Sequence, residues 1–513
     1  MKKKLPLGIQ NFCKIHDEGC YYVDKTAYIH RLIEAGSYYF LSRPRRFGKS
    51  LLVDTIQEVF EGNKKLFKGL YIHDKWNWSK KYPVIKISFG GGVLKSREEL
   101  EQKIKEILDE NAKKFNVIYT VQSISGKLRE LIIKAKDYHG EQAVVLVDEY
   151  DKPILDNIEN SDIALEMREG LKNFYSPIKE ADAFLKFVFL TGVSKFSKVS
   201  LFSGLNNLTD ITLDQRYGAI CGYTQTDVET IFEDQILELD KDEIRDWYNG
   251  YNWLGESVYN PYDLLLLFDK RKFRPYWFET GTPTFLVKLL KERKTWLPGI
   301  NDSFSTEKLL STFDVDNIPT EALMFQAGYL TINSYQEIPG RLEINLKYPN
   351  KEVMTALNET LLWEYVGVSS LDLRNVSKAH RALLNEDCIA LKNQLYALYA
   401  SIPYQWHIKN NIAEYEGYYA SVFYAFFASL GLDIACEESS HAGRLDIVVR
   451  LNKIVYIFEF KIIENNSAGS ALQQIKDKGY ANKYLTDSQE VYLIGIEFSK
   501  EKRQIQMFEW EKS

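Results

Sequence analysis

The chain has no apolar run of about 18 residues, so its sequence offers no membrane-spanning helix. The basic start Met1-Lys2-Lys3-Lys4 is not followed by an apolar stretch of signal-peptide length. Together these absences lead to the expectation of a cytoplasmic protein. Cysteine is sparse: Cys13, Cys20, Cys221, Cys388 and Cys436 are scattered, odd in number and never spaced as CxxC. That argues against a disulfide framework and against a structural zinc site. The seven histidines are equally dispersed, with no HExxH. Any metal is therefore expected to be a hard cation held by carboxylates. Internal repeats and low-complexity segments are missing as well. So is an excess of positive charge: the formal net charge of -6 gives no bulk attraction to nucleic acid, although local clusters matter more than the total.

What is present is a globular composition, 45% hydrophobic and 27% charged, with 33 tyrosines to fill large cores. The 513 residues are enough for about three domains or subdomains. Up to residue 225, apolar strand candidates (38–41, 84–89, 143–147, 184–190) alternate with helical stretches such as 49–60 and 97–113. This order predicts an α/β layer fold with a mainly parallel sheet. Residues 226–295 read as helical and aromatic-rich. Over 321–356 a helix is followed by Gly328–Ile332, a Pro339-Gly340 turn and Leu342–Leu346, a helix-then-hairpin order that suggests a winged-helix-like module. Residues 361–410 read as helices. From 411 the order helix, strand, strand, helix, strand predicts a second α/β unit. The expected division is thus 1–225, 226–360, 361–410 and 411–513.

The segment Ser42-Arg43-Pro44-Arg45-Arg46-Phe47-Gly48-Lys49-Ser50 follows a strand and opens a helix, the context that a Walker A phosphate loop requires. Main-chain N–H groups at a helix start bind anionic phosphate. Lys49 would reach the β and γ phosphates, and the Ser50 hydroxyl would ligate Mg²⁺. Arg43 stands where the GxxxxGK[ST] pattern has its first glycine. The apolar run Ala143–Val147 ends in Asp148-Glu149, a Walker B arrangement with Asp148 near Mg²⁺ and Glu149 polarising the attacking water. Taken alone, that pair could equally be surface acids capping a core strand; the two motifs together point to ATP. Thr191, just past a strand, is a candidate γ-phosphate sensor or a plain loop threonine. No arginine finger can be picked out.

Near the C-terminus, Gly443-Arg444-Leu445-Asp446 and Glu459-Phe460-Lys461 flank a hairpin with Asn452 in its turn. Strand alternation puts Glu459 and Lys461 on one face, and the hairpin can bring Asp446 beside them. Two carboxylates can hold Mg²⁺ or Mn²⁺, which stabilises charge on phosphoryl oxygens and lowers the pKa of bound water, while a lysine orients that water. The alternative is an exposed hairpin whose Glu459 and Lys461 pair on the surface. Glu416, at the start of an aromatic helix, is either a further ligand or an acid stabilised by the helix dipole. Gln474 and Lys478, i,i+4 neighbours on a later helix, either touch substrate phosphate or lie on a solvated face.

At these residues the chain resembles a bacterial family with an AAA-ATPase-like N-terminal domain and a PD-(D/E)XK nuclease C-terminal domain. The resemblance covers nearly the whole chain. It is carried by Tyr22-Val23-Asp24-Lys25-Thr26, by 43–50, by Asp148-Glu149-Tyr150-Asp151-Lys152-Pro153, and by middle-region motifs at 247–251, 260–262 and 348–353. At the C-terminus it is carried by Gly443–Asp446, Glu459–Lys461, and Gln474-Ile475 with Lys478 and Tyr480. The arginine at 43 is the family's own pattern. The resemblance implies that Asp446, Glu459 and Lys461 are catalytic. It also implies that Lys49, Ser50, Asp148 and Glu149 bind or hydrolyse ATP; Arg45, Arg46 and Gly48 of the same loop are further candidate nucleotide-binding residues.

The resulting expectation is an ATPase joined to a Mg²⁺- or Mn²⁺-dependent nuclease. Its expected partner is nucleic acid, DNA ahead of RNA, with no membrane, and self-association into a homo-oligomer is left open. A competing reading is an ATP-driven switch or scaffold whose nuclease-like domain binds nucleic acid without cleaving it.

Overall fold

The computed structural model describes residues 3–195, 207–279, 284–293, 295–310, 318–366, 373–401, 416–439, 444–463, 470–479, 481–485, 490–499 and 504–513. The chain divides into two compact units. The first is Met1–Trp277 with Phe304–Asn350, and the second is Phe278–Ser303 with Lys351–Ser513.

The first unit is built on β1 (Tyr38–Ser42), β2 (Val84–Ser88), β3 (Ala143–Asp148), β4 (Leu185–Gly192) and β5 (Thr209–Asp210). They pair all-parallel in the order β2-β3-β4-β1-β5. β1 and β3 are buried along their whole length, as continuous apolar runs in a parallel sheet should be when both faces are covered. The strands expected over 38–41, 84–89 and 143–147 are present to within a residue. The fourth starts at Leu185, because Phe184 closes a 3-10 turn, and it runs on to Gly192. β4 lies between β3 and β1, so the C-terminal ends of all three open on one sheet edge, where ligands of such sheets bind.

The aromatic-rich stretch after 225 packs back on the N-terminal segment. Tyr21 and Val23 share a core with Val228, Phe232, Tyr248, Leu264 and Phe268. Lys25 pairs with Asp227 at 2.9 Å, and the short strands β6 (Tyr223–Thr224) and β7 (Val258–Tyr259) form a ribbon nearby in sequence. The helix-then-hairpin order expected over 321–356 is there: helix Thr320–Ala327, then β9 (Thr331–Ile338) and β10 (Arg341–Lys347), with β8 (Ser303–Thr306) beside β10.

The second unit holds a mixed sheet, β11 (Asp433–Ser439), β12 (Arg444–Leu451), β13 (Ile454–Ile463), β14 (Glu490–Ser499) and β15 (Gln504–Lys512), paired in that order. Only β13 and β14 run parallel. The sheet has two strands more than the sequence order suggested, and both, β11 and β15, lie at its edges. There a polar, half-solvated strand lacks the apolar run that marks an inner one. The helix Glu416–Ser429 covers one face, with Phe423 on Phe460 and Phe427 on Phe458. The helix Ser470–Lys478 covers the other, with Ile475 among Val448, Ile457 and Leu493. Helices Lys351–Val366, Leu373–Leu384 and Cys388–Ala400 occupy the described part of the helical stretch expected over 361–410, of which 367–372 and 402–410 lie outside the described residues. The segment 278–303 belongs to this unit: Lys291 pairs with Glu364, and Leu297 N–H donates to Ser421 Oγ. No helix among the described residues is long and apolar enough to cross a membrane.

Candidate functional site

Two polar centres stand out, one in each unit. In the first unit, β1 ends at Ser42 and the helix Lys49–Phe60 starts seven residues on. The chain turns between them through left-handed backbone at Arg46 (φ 70°) and Gly48 (φ 86°). Only glycine adopts such angles without strain; Arg46 is steadied by its guanidinium, 4.6 Å above the Tyr262 ring. Arg45 and Arg46 are exposed, and Ser50 is half-buried in the first helical turn.

Lys49 is buried. Its ammonium donates to the main-chain oxygens of Arg43 (2.9 Å) and Pro44 (2.8 Å). Burial lowers its pKa, and Asp148 is the carboxylate that most opposes the shift. Asp148, at the end of β3, is 6% exposed, and its Oδ1 is buried with no hydrogen-bond partner among the described residues. Thr191 Oγ1, on β4, is buried and unpartnered too. An ionised carboxylate oxygen can only accept, so a cation or its bound water would satisfy Asp148. Glu149 takes a left-handed φ of 52° and leans over Gly90, where an added Cβ would lie 3.2 Å from its Oε2. Burial, then the adjacent Asp148, raises its pKa. Asp151 lies two residues beyond Glu149. It is buried and accepts from Val193 N (3.0 Å), Ser194 N (2.6 Å) and Ser194 Oγ (2.6 Å), fixing the chain just beyond Thr191.

In the second unit, Asp446 and Glu459 are directly opposed in the antiparallel β12–β13 pair. Opposed residues share a face with Cβ atoms about 4.5–5.5 Å apart. Asp446 and Glu416 are placed by their backbone alone; their side chains, and all of Tyr480, lie outside the described residues. Glu459 is fully buried: Oε1 accepts from the Gln474 side-chain amide, and Oε2 has no hydrogen-bond partner among the described residues. That orphaned oxygen, next in register to a second carboxylate, suits a hard cation. Lys461 is half-buried and donates to Ser470 O at 3.0 Å, so it does not point into the apolar core. Gln474 sits on Glu459, whereas Lys478 is exposed.

Two residues of this centre escaped the sequence reading. Glu497, 1% exposed, lies beside Lys461 in the parallel register. Its Oε1 accepts from Ser470 Oγ (3.1 Å) and Ala471 N (3.0 Å), pinning the start of the helix that carries Gln474. Gly495 lies beside Glu459, and a Cβ there would collide with the main chain of Leu472. The signal for Glu497 was the one that marked Glu459: an acid inside an otherwise apolar strand.

Comparison with known proteins agrees with this division. Residues 6–202 match the family described as Predicted AAA-ATPase, and residues 414–508 match the PD-(D/E)XK nuclease superfamily. The chain belongs to the family that joins these two domains. It is 54% identical over 505 residues, 98% of either chain, to an "Uncharacterized protein in vnfD 5'region" of Azotobacter chroococcum mcd 1. No solved structure matches it.

Proposed function

We propose that residues 1–225 bind and hydrolyse ATP, and that residues 411–513 form a Mg²⁺- or Mn²⁺-dependent phosphodiesterase acting on nucleic acid, DNA ahead of RNA, in the cytoplasm. The observation that carries the nuclease half is the buried, unpartnered Oε2 of Glu459 opposite Asp446. Asp446 and Glu459 would hold the metal, which when bound supplies a Lewis acid for the phosphoryl oxygens and a more acidic water. Lys461 orients that water. Gln474 holds Glu459 in place.

In the nucleotide site, Lys49 leaves the carbonyls of Arg43 and Pro44 for the β and γ phosphates. Ser50 and Asp148 would hold Mg²⁺, Glu149 orients the attacking water, and Arg45 and Arg46 flank the phosphates. ATP binding or turnover controls access to the nuclease centre.

The test is incubation with labelled single- and double-stranded DNA and RNA, with and without Mg²⁺, Mn²⁺ and ATP. Metal-dependent cleavage supports the reading. One observation favours the switch or scaffold reading: Glu459 is wholly buried, with one oxygen already taken by Gln474. Nucleic acid retained but uncut in every arm would establish that alternative.

A further inference from the structure

We propose that Arg43 is a positioning residue for the phosphate loop, an internal anchor standing where the first Walker glycine would be. The proposal rests on the ATP reading above. It starts from what the arginine does not do. Position 43 is not among the residues with positive φ; the loop takes its left-handed turns at Arg46 and Gly48 instead. The conformational freedom of glycine is therefore not needed there, and the side chain is free to do something else.

That side chain is 0% exposed. Its guanidinium donates to Ser42 O (2.8 Å), Thr212 O (3.0 Å) and Tyr217 O (3.1 Å), and reaches Gly218 O at 3.5 Å. It lies 4.1 Å from the centre of the Trp253 ring, in cation–π range. Its Nε has no acceptor. Among the described residues no carboxylate bonds to it; burial pushes its pKa down to about 10, and Asp210 acts only at longer range. The cation is thus held by main-chain carbonyls and an aromatic face. Those partners come from the end of β1, from the turn at 212–218, and from Trp253. Thr212 is fastened a second time, through Ser42 N–H to its Oγ1 at 3.0 Å.

Residue 43 is held from the other side as well, because its own carbonyl accepts from the Lys49 ammonium. The nucleotide-binding lysine and the 212–218 turn are therefore joined through one residue. When Lys49 moves to a phosphate, Arg43 O loses its donor. The guanidinium then transmits the adjustment to 212–218 and to the Trp253 ring.

The test uses the full chain as wild type, Arg43→Met, Arg43→Lys and Trp253→Phe, with MgATP as the probe. Methionine fills the volume but cannot donate, which leaves buried carbonyls unsatisfied. We expect Arg43→Met to bind ATP about tenfold or more weakly in calorimetry. Without nucleotide, its amides over 45–50 should exchange hydrogen faster than those of wild type. Arg43→Lys should recover part of both losses. The change in tryptophan emission on adding MgATP should be present in wild type and absent from Trp253→Phe and Arg43→Met. Loop exchange and ATP affinity in Arg43→Met equal to wild type would overturn the anchor. If Arg43→Met does not fold, Trp253→Leu, which removes the aromatic support, takes its place under the same two readouts. Failure of wild type to bind ATP would instead sink the nucleotide reading, and the exchange comparison would still decide whether Arg43 orders the loop.

Discussion

Gln474 donates its side-chain amide to Oε1 of Glu459, while Oε2 of the same carboxylate is buried without a partner among the described residues. The glutamine thus satisfies half of a charged group that the fold has removed from water. Gln474→Ala should cost about 1–3 kcal/mol of stability in chelator, the usual penalty for an orphaned buried acceptor. With saturating Mn²⁺ the deficit should shrink, because a bound cation satisfies the freed oxygen. Thermal unfolding in EDTA and in Mn²⁺ checks this, and an equal deficit in both would argue that no metal reaches Glu459.

Asp446→Ala and Lys461→Ala should each abolish cleavage by different routes. The first removes a metal ligand and should weaken Mn²⁺ binding in calorimetry. The second, with both carboxylates intact, should leave Mn²⁺ affinity close to wild type. Equal loss of metal from both variants would remove the separate role assigned to the lysine.

Glu497 pins the helix that supplies both Gln474 and the carbonyl acceptor of Lys461. A glutamine at 497 still presents an oxygen to Ala471 N–H; an alanine does not. Glu497→Gln should therefore keep most of the cleavage rate. Glu497→Ala should lose about 10–100-fold, typical for groups that orient metal ligands. If the glutamine variant is as inactive as the alanine variant and binds Mn²⁺ poorly, Glu497 is itself a ligand.

In the nucleotide site, Lys49→Ala should show no measurable heat of ATP binding with the fold intact by circular dichroism. Glu149→Gln should retain ATP and slow its hydrolysis about 100-fold or more, the scale expected for a group that positions and deprotonates water. Retained ATP with an unchanged rate would transfer that role to another carboxylate.

Much of the fold was legible because inner parallel strands announce themselves. Ala143–Val147 is an apolar run followed by the two acids Asp148 and Glu149, and the 43–50 loop sits between a strand and a helix. β11 and β15 were not legible, since an edge strand with one solvated face carries a diluted pattern. Asp446 and Glu459 could be paired from the shortness of the hairpin, and the register agrees. The contact between Gln474 and Glu459 could not be read, because it depends on how closely a helix approaches Gly495. Arg43 is the clearest case. In sequence it is only a missing glycine, whereas its partners lie about 170 residues away at Thr212 and Tyr217, which no local pattern reaches.

The chain passes between its two compact units at 277/278, at 303/304 and again at 350/351. A single protease cut therefore cannot part the two units cleanly, because whichever crossing is cut, a piece of one unit stays on the fragment that carries the other. A fragment starting at Lys351 lacks Phe278–Ser303, the piece that meets Glu364 and Ser421. The same holds for recombination. A gene breakpoint at any one of these crossings would leave at least one of the two with a gap, so they are expected to travel through evolution as one inherited block rather than as exchangeable modules.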